Sequence, residues 1–382
     1  MTEKLYYKDA YISNFDATVR SASSYGEGYR VTLDKTAFFP NEGGQSADRG
    51  YIGDARVIDV AEIDGEIYHL TDKAVPIGAT LACAINFEER FEKMQLHTAE
   101  HIVCGIIHSR YGYENVGFHL GEDVVTFDIS SVMTREMLDE VEDEANLAVF
   151  KNIPVVASFP TSEELAKRKY RSKLDITEGV RLVEIDGVDS CACCAPHVAA
   201  TGEIGIIKLL DFEKHRGGVR IYLTAGKRAL LDYRRRYELT KTVSGYLSKP
   251  QYVIDEAVCE LLSERDELRR RLLLSQISRL KLLADSEPSV DGCRVFDVPD
   301  ADITALREFC NIMSAKSDGY IVAVSQSDGA YRYVISKREG EVSDFVKAAN
   351  AALSGKGGGR GPMATGNFSA AIEDIKTYFD NL

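Results

Sequence analysis

The sequence contains no apolar run long enough to cross a membrane, and its first residues lack the apolar core of a signal peptide. We therefore expect a cytoplasmic protein that makes no membrane contact. The sequence also lacks an aspartate-rich motif for a two-metal site, so a metal-dependent phosphoesterase is a weak interpretation. An excess of positive charge is missing as well. The net charge of -14 argues against indiscriminate nucleic-acid binding, although basic residues cluster between positions 227 and 236 and between 269 and 271.

Eight cysteines without a secretory signal suggest reduced thiols and metal binding, not a disulfide framework. The run from Glu88 to Tyr111 predicts a helix, because apolar residues recur at helical spacing and Gly112 stands where a helix would end. His97 and His101 are four residues apart within this run, in the segment His-Thr-Ala-Glu-His. Both imidazoles therefore lie on one helix face and can reach one metal ion.

One helix face supplies only two ligands, and a tetrahedral zinc site needs more. Cys193 and His197, at C-x-x-x-H spacing, complete a set of three nitrogens and one sulfur, which favours Zn²⁺. Histidine pairs also occur by chance as ordinary surface or core groups, and Cys191 or Cys194 could replace Cys193. Because ligand-type residues are concentrated in two short segments, we predict one zinc per chain. The predicted ligands are His97, His101, Cys193 and His197.

Residues 1–87 contain short strand patterns separated by turn signals, which predict a small N-terminal β-barrel. Asp64-Gly65 is a hairpin signal within this region. The loop from Thr36 to Gln45 contains the pair Gly43 and Gly44, which permits close approach of the backbone to a ligand. An ordinary glycine-rich turn would explain the same loop, so the loop alone does not establish a site.

The remaining chain divides into three further segments. Residues 88–225 alternate helix and strand patterns around the cysteine segment and predict an α+β domain that contains the zinc. Residues 226–286 predict a helical linker with a coiled-coil pattern, which is typical either of a homodimer contact or of a helix docked on its own domain. Residues 287–382 predict a C-terminal α/β domain, whose glycine-rich loop carries Lys356 and Arg360. The overall fold class is α+β.

Taken together, these motifs resemble the alanyl-tRNA editing proteins of the AlaX type in their long form. The resemblance rests on the Thr36 to Gln45 loop, the His97 to His101 segment, Gly117-Phe118-His119-Leu120-Gly121, the Cys193 and His197 pair, and the final glycine-rich loop. The order of the motifs agrees and covers essentially the whole chain. One departure is visible, because the family pattern Cys-Gly-Gly-Thr-His is here Cys-Cys-Ala-Pro-His.

The resemblance implies hydrolysis of the ester in mischarged tRNA(Ala), with serine as the chief amino acid and glycine as a second. It places the metal on the four predicted ligands, and it places Gly43, Gly44 and Gln45 beside the editing pocket. Thr36 corresponds to the family's threonine near the substrate hydroxyl, so Gln45 and Thr36 are the predicted catalytic residues. Lys356 and Arg360 are predicted to contact tRNA. The alternative is a non-catalytic tRNA-binding module with a structural zinc.

Overall fold

A computed structural model describes residues 1–121, 124–172, 179–327 and 329–382. The chain forms two compact units, Met1–Leu239 and Thr240–Leu382. Both combine helices with sheets, which confirms the predicted α+β class. The division into four domains stays a prediction. Within the described ranges, no helix has the length and apolar character that crossing a membrane requires.

Short strands dominate the start of the first unit, as the alternating patterns predicted. Six of them pair in the order β2-β3-β7-β6-β5-β8, and β8 pairs back with β2, so the ring of strands is closed. Alternate side chains, such as Val31 and Ile67, point into its core. The strands are β1 (Glu3–Lys4), β2 (Asn14–Tyr25), β3 (Gly28–Leu33), β4 (Lys35–Thr36), β5 (Gly50–Ile52), β6 (Ala55–Ile63), β7 (Glu66–Thr71) and β8 (Thr80–Ile85).

The long helix α1 (Phe87–Tyr111) follows the ring and confirms the predicted helix. Asn86 caps its start by accepting a hydrogen bond from the backbone of Glu89. Gly112 ends it in the left-handed conformation, with φ 70°, which glycine adopts without strain. Nearly every residue from Lys93 to Ile107 is buried, so the helix lies in the interior of the unit.

Two sheets and two helices surround α1. One sheet has the strand order β14-β15-β10-β9, and the other has the order β11-β12-β13. The side chain of Thr134 caps α2, and α3 forms only one turn. The elements are β9 (Asn115–Leu120), β10 (Val125–Ile129), α2 (Arg135–Phe150), β11 (Val155–Ser158), α3 (Ser162–Leu165), β12 (Leu182–Ile185), β13 (Asp189–Ala192), β14 (Ile207–His215) and β15 (Gly218–Ala225).

The second unit is built on one five-stranded sheet with the order β16-β17-β18-β20-β19. Separate apolar clusters pack α5 with α6 and α7 with α8 against strands of this sheet. The helix α4 (Gly226–Leu247) begins in the first unit and ends in the second, and Pro250 interrupts the helical region after it. The other elements are α5 (Ile254–Ser286), β16 (Cys293–Asp297), α6 (Ile303–Ala315), β17 (Tyr320–Ser327), β18 (Ala330–Ser336), α7 (Ser343–Ala352), β19 (Lys356–Gly358), β20 (Met363–Phe368) and α8 (Ile372–Asp380).

The glycine-rich segment, interpreted from the sequence as a loop, begins with a strand. The edge strand β19 pairs with β20, which places Gly357 opposite Gly366. A Cβ atom at Gly357 would lie 2.4 Å from Cα of Gly366. A Cβ atom at Gly366 would in turn lie 2.5 Å from the hydroxyl of Tyr333. These glycines are therefore needed for close strand packing, independently of any ligand.

Candidate metal centre and adjoining cavity

The four predicted ligands meet at one point inside the first unit. Helix α1 carries His97 and His101, and the segment after β13 carries Cys193 and His197. One ligand atom from each residue lies within 4.8 Å of the others. The Cys193 Sγ is 3.6 Å from Nε2 of His97 and 3.4 Å from Nε2 of His197. The sequence Cys-Cys-Ala-Pro-His departs from the family pattern, but Cys193 and His197 still lie close enough to bind one metal ion.

These separations fit a tetrahedral zinc ion. With Zn–N and Zn–S bonds of about 2.0 and 2.3 Å, tetrahedral geometry sets nitrogen and sulfur ligands about 3.5 Å apart. The two measured distances from Cys193 Sγ lie on either side of that value. Three imidazoles and one thiolate also form a donor set that zinc prefers. The residues present therefore fit the metal that the sequence predicts.

Each imidazole is oriented through its second ring nitrogen. Nδ1 of His97 lies 3.0 Å from Oε1 of Gln45, and Nδ1 of His197 lies 3.0 Å from the hydroxyl of Thr98. Nδ1 of His101 lies 3.1 Å from the carboxylate of Asp189. Partners of this kind fix the ring orientation and leave Nε2 free to bind a metal. Thr98 and Asp189 were not predicted from sequence, because their contacts depend on the folded arrangement.

The protonation states also suit metal binding. Burial alone would raise the pKa of the Cys193 thiol, but the surrounding His97 and His197 bring that pKa well below its ordinary value. Burial lowers the pKa of His197 to about 3, so its imidazole is neutral at physiological pH. A thiolate and a neutral imidazole are the forms that coordinate zinc.

The neighbouring cysteines are less suited to the fourth position. Burial raises the pKa of the thiols of both Cys191 and Cys194, which keeps them protonated. Cys191 does lie within 4.8 Å of His101 and Asp189. However, the carboxylate of Asp189 is already held by two hydrogen bonds from Arg171, at 2.8 and 2.9 Å. The geometry therefore favours Cys193 as the sulfur ligand.

The Thr36 to Gln45 loop is attached to α1 by buried polar contacts. Arg90 of α1 forms an ion pair with Asp48, and both side chains are about 1% exposed. Arg90 also donates to the backbone carbonyl of Ala37 at 2.7 Å, and Lys93 donates to that of Ala47 at 2.8 Å. These contacts hold the loop against the helix that carries the histidines, which places Gln45 beside His97.

A cavity of about 450 Å³ adjoins the metal-ligand cluster. His97, His101 and Cys193 form part of its wall, and Gly43 of the glycine pair lies at its edge. Phe118 adds an aromatic wall, with its ring centroid 4.7 Å from that of His97. Other lining side chains are polar or charged, among them Glu100, Asn115 and Arg171. The cavity volume falls in the range of small-molecule sites.

The structure places the other predicted residues outside the described cavity wall. The Thr36 side chain is fully buried, and its hydroxyl lies 2.9 Å from Nε2 of His69. Gln45 is equally buried and faces His97. A Cβ at Gly44 would lie 2.7 Å from the carbonyl oxygen of Phe118, so this position requires glycine. The catalytic roles assigned to Thr36 and Gln45 stay predictions.

We expect Gln45→Ala to weaken metal binding by about 10- to 100-fold, because the alanine cannot orient the His97 ring. A competition titration with a chromophoric chelator measures this affinity. Gln95→Ala is the matched control. Gln95 is a buried glutamine of α1, the helix that carries His97, but its side chain donates a hydrogen bond to the Glu203 carbonyl and does not contact a metal ligand. Equal metal affinity in both variants would show that the Gln45 contact does not support the ligand.

Comparison with known proteins agrees with this geometry. The family model described as the second additional domain of threonyl- and alanyl-tRNA synthetases matches residues 180–222, which include Cys193 and His197. Alanyl-tRNA editing protein AlaX-L of Pyrococcus horikoshii is 28% identical over 98% of this chain and 96% of its own length. Alanyl-tRNA editing protein Aarsd1 of Danio rerio is 25% identical over 96% of this chain and 94% of its own.

A longer relative also matches. The alanine–tRNA ligase of Methanothrix thermoacetophila is 30% identical over 96% of this chain, but the match spans only 42% of the ligase. The two editing proteins, by contrast, match along nearly their full lengths. The chain is thus similar over almost its whole length to the alanyl-tRNA editing proteins of the AlaX type, as its motifs predicted.

Proposed function

We propose that the protein is a cytoplasmic hydrolase that removes the wrong amino acid from tRNA(Ala). Seryl-tRNA(Ala) is its chief substrate and glycyl-tRNA(Ala) a second one. The observation that carries this proposal is the cluster of His97, His101, Cys193 and His197 at the wall of a cavity large enough for an aminoacyl ester. The names of the relatives support it, since two of them are called alanyl-tRNA editing proteins.

The chain's own residues prepare this site for ester hydrolysis. Gln45, Thr98 and Asp189 fix the three imidazoles, so the ligand atoms need no rearrangement when zinc binds. A zinc ion held there supplies electrophilic assistance to ester cleavage. Phe118 and the docked loop shield one side of the site from water, which strengthens electrostatic interactions within it.

The experiment that tests the proposal compares three substrates. We expect seryl-tRNA(Ala) to be deacylated at least about 100-fold faster than alanyl-tRNA(Ala), because a site that hydrogen-bonds a hydroxyl strongly disfavours the analogue lacking it. Glycyl-tRNA(Ala) should be hydrolysed more slowly than the seryl substrate, because glycine also lacks the hydroxyl. Equal rates for seryl- and alanyl-tRNA(Ala), or no hydrolysis of either, would exclude the editing function.

A second candidate is a tRNA-binding module whose zinc is purely structural. A four-ligand site of this composition is typical of structural zinc, which favours that reading. Structural sites are, however, usually closed, whereas three of the four ligands here line a cavity. Under this second candidate, the protein would bind tRNA(Ala) tightly and leave every aminoacyl ester intact.

Contacts to the tRNA itself are assigned to the second unit. Lys356 and Arg360 are exposed, and no ion pair of either is found among the described residues. We expect the variant Lys356→Ala, Arg360→Ala to bind tRNA more weakly and to lower the salt-dependence slope by roughly 1.5, since each phosphate contact releases bound counterions. The slope is measured by filter binding at several salt concentrations.

The control for this experiment is Lys281→Ala, Arg307→Ala, which removes the same charge from exposed positions elsewhere in the unit. Single-turnover deacylation at saturating tRNA should be unchanged in both variants. If the two double variants have the same slope, Lys356 and Arg360 make no specific phosphate contact.

A homodimer through α5 is the final part of the proposal. Apolar residues on the first half of this helix recur at the three- and four-residue steps of a coiled coil, and Leu261, Leu268 and Leu272 are more than half exposed. Antiparallel pairing with a second copy, centred on residue 263, would set Val258 opposite Leu268 and Asp255 opposite Arg271. The opposite charges of the last pair support this orientation.

We therefore expect Leu268→Glu to shift the protein from dimer to monomer in light scattering, because it places a charge in the apolar seam. Leu274→Glu is the control, since Leu274 is 49% exposed on the same helix but lies away from the seam. A monomeric wild-type protein, or the same effect in both variants, would rule out this interface.

A further inference from the structure

Glu100 lies between the two histidines of α1, and the proposed function gives it no task. Its side chain is only 4% exposed, yet it lines the cavity together with His97 and His101. Its carboxylate is not part of the four-ligand cluster, whose atoms lie within 4.8 Å of one another. The cavity wall therefore contains a nearly buried negative charge beside the cluster, on a residue that is not a ligand.

The partners of this carboxylate are neutral. The Asn115 side-chain amide donates a hydrogen bond to Oε1, and the Cys104 thiol donates to the same oxygen at 3.3 Å. Within the part of the chain that the structure describes, no basic side chain forms an ion pair with Glu100. The three Lys and Arg side chains that line the cavity are engaged elsewhere. Arg171 pairs with Asp189, Lys4 pairs with Glu62, and Arg181 donates to the backbone carbonyls of Cys193 and Ala195. A buried carboxylate that is held only by neutral donors favours a cation that approaches it.

We propose that Glu100 binds the α-amino group of the aminoacyl moiety, an inference that rests on the proposed function. That group is the cation that the substrate itself brings into the cavity, and an amine donates N–H hydrogen bonds to a carboxylate in either protonation state. Asn115 is a positioning residue, because its amide holds one carboxylate oxygen and fixes the direction of the other.

The assignment defines the substrate class more narrowly than the ester bond alone. An ester whose amine is acylated, as in peptidyl-tRNA, offers no cation and adds bulk where Glu100 lies. An ester with a hydroxyl in place of the amine offers no cation either. The protein should therefore select esters with a free α-amino group. A metal ion at the cluster would also attract the carboxylate of Glu100. The test therefore changes only the amine of the probe and keeps the zinc-loaded protein and the rest of the probe constant.

The experiment uses two stable probes, serine joined by an amide bond to 3′-amino-3′-deoxyadenosine and the same compound with a hydroxyl in place of the α-amino group. Calorimetry measures both dissociation constants for the full-length, zinc-loaded protein. We expect the wild type to bind the amino probe at least about tenfold more tightly than the hydroxyl probe. In Glu100→Gln, the amino probe should lose about tenfold in affinity, and the hydroxyl probe less than about twofold.

Glu114→Gln is the matched control, because it removes the same charge from an exposed glutamate that does not line the described cavity. It should leave both dissociation constants unchanged, and elemental analysis should show equal zinc in all three proteins. Equal losses for the two probes in Glu100→Gln, or no loss, would overturn the proposal.

The comparison of the two probes on the wild-type protein is a test by itself, so the outcome does not depend on the folding of a variant. If the unaltered protein binds both probes equally, Glu100 does not recognise the amine. The proposed function is tested separately by the deacylation assay. If seryl-tRNA(Ala) stays intact there, the proposed function is wrong, even where the protein prefers the amino probe.

Discussion

Replacing Cys193 by serine is expected to lower zinc affinity by well over 100-fold and to abolish measurable hydrolysis of seryl-tRNA(Ala). Removal of a direct ligand should lower zinc affinity more than the change of a residue that is hydrogen-bonded to a ligand, which typically lowers it roughly 10- to 100-fold. The Cys193 sulfur is the ligand atom that approaches both His97 and His197, and its low thiol pKa provides the thiolate that zinc requires. Elemental analysis and single-turnover deacylation measure the two effects.

Cys191→Ser and Cys194→Ser are the matched controls, since each alters one thiol of the same short segment. Both should retain one zinc per chain, because burial keeps these two thiols protonated. If Cys193→Ser retains its metal while one of the controls loses it, the assignment of the sulfur ligand is wrong.

Replacing Asp48 by asparagine is expected to destabilise the fold by about 3–5 kcal/mol, the usual cost of leaving one member of a buried ion pair uncompensated. Asp48 accepts hydrogen bonds from Arg90 and, at 2.7 Å, from the backbone amide of Phe39. Asparagine preserves the size of the side chain but leaves the buried Arg90 charge without a carboxylate. Denaturant unfolding of the full chain, followed by circular dichroism, measures the loss.

The control is Asp72→Asn. Asp72 is also paired with an arginine, but its partner Arg56 lies 4.0 Å away and is 63% exposed. An ion pair of this kind contributes about 1 kcal/mol at most. Similar losses in the two variants would show that the Arg90 and Asp48 pair does not hold the loop to α1. If the ion pair does hold the loop to α1, Asp48→Asn should also weaken metal binding, because the loop carries Gln45.

Local sequence signals were sufficient for α1 and its two histidines. The apolar spacing, the start near Glu88 and the left-handed Gly112 all depend on neighbouring residues, and each agrees with the structure. The pairing of Cys193 with these histidines joins segments more than 90 residues apart. The spacing within each segment and the concentration of ligand-type residues in both predicted that the two segments share one metal, and the resemblance implied the same four ligands.

Contacts between side chains that are far apart in the sequence could not be predicted from local signals. The resemblance assigned Gln45 to catalysis, a role that stays a prediction, and only the folded arrangement shows its side chain 3.0 Å from Nδ1 of His97. Asp189 follows a turn and resembles any exposed acidic residue in the sequence, yet it orients His101. The glycine-rich segment was interpreted from the sequence as a loop, and the close approach of β19 to β20 shows that strand packing requires its glycines.

The most direct test of the account is single-turnover hydrolysis of seryl-tRNA(Ala) by protein that has been stripped of metal with a chelator and then reconstituted. We predict that stripping lowers the rate at least about 100-fold and that one equivalent of Zn²⁺ per chain restores it, while alanyl-tRNA(Ala) stays intact throughout. Undiminished hydrolysis by protein that elemental analysis shows to be free of metal would contradict the account.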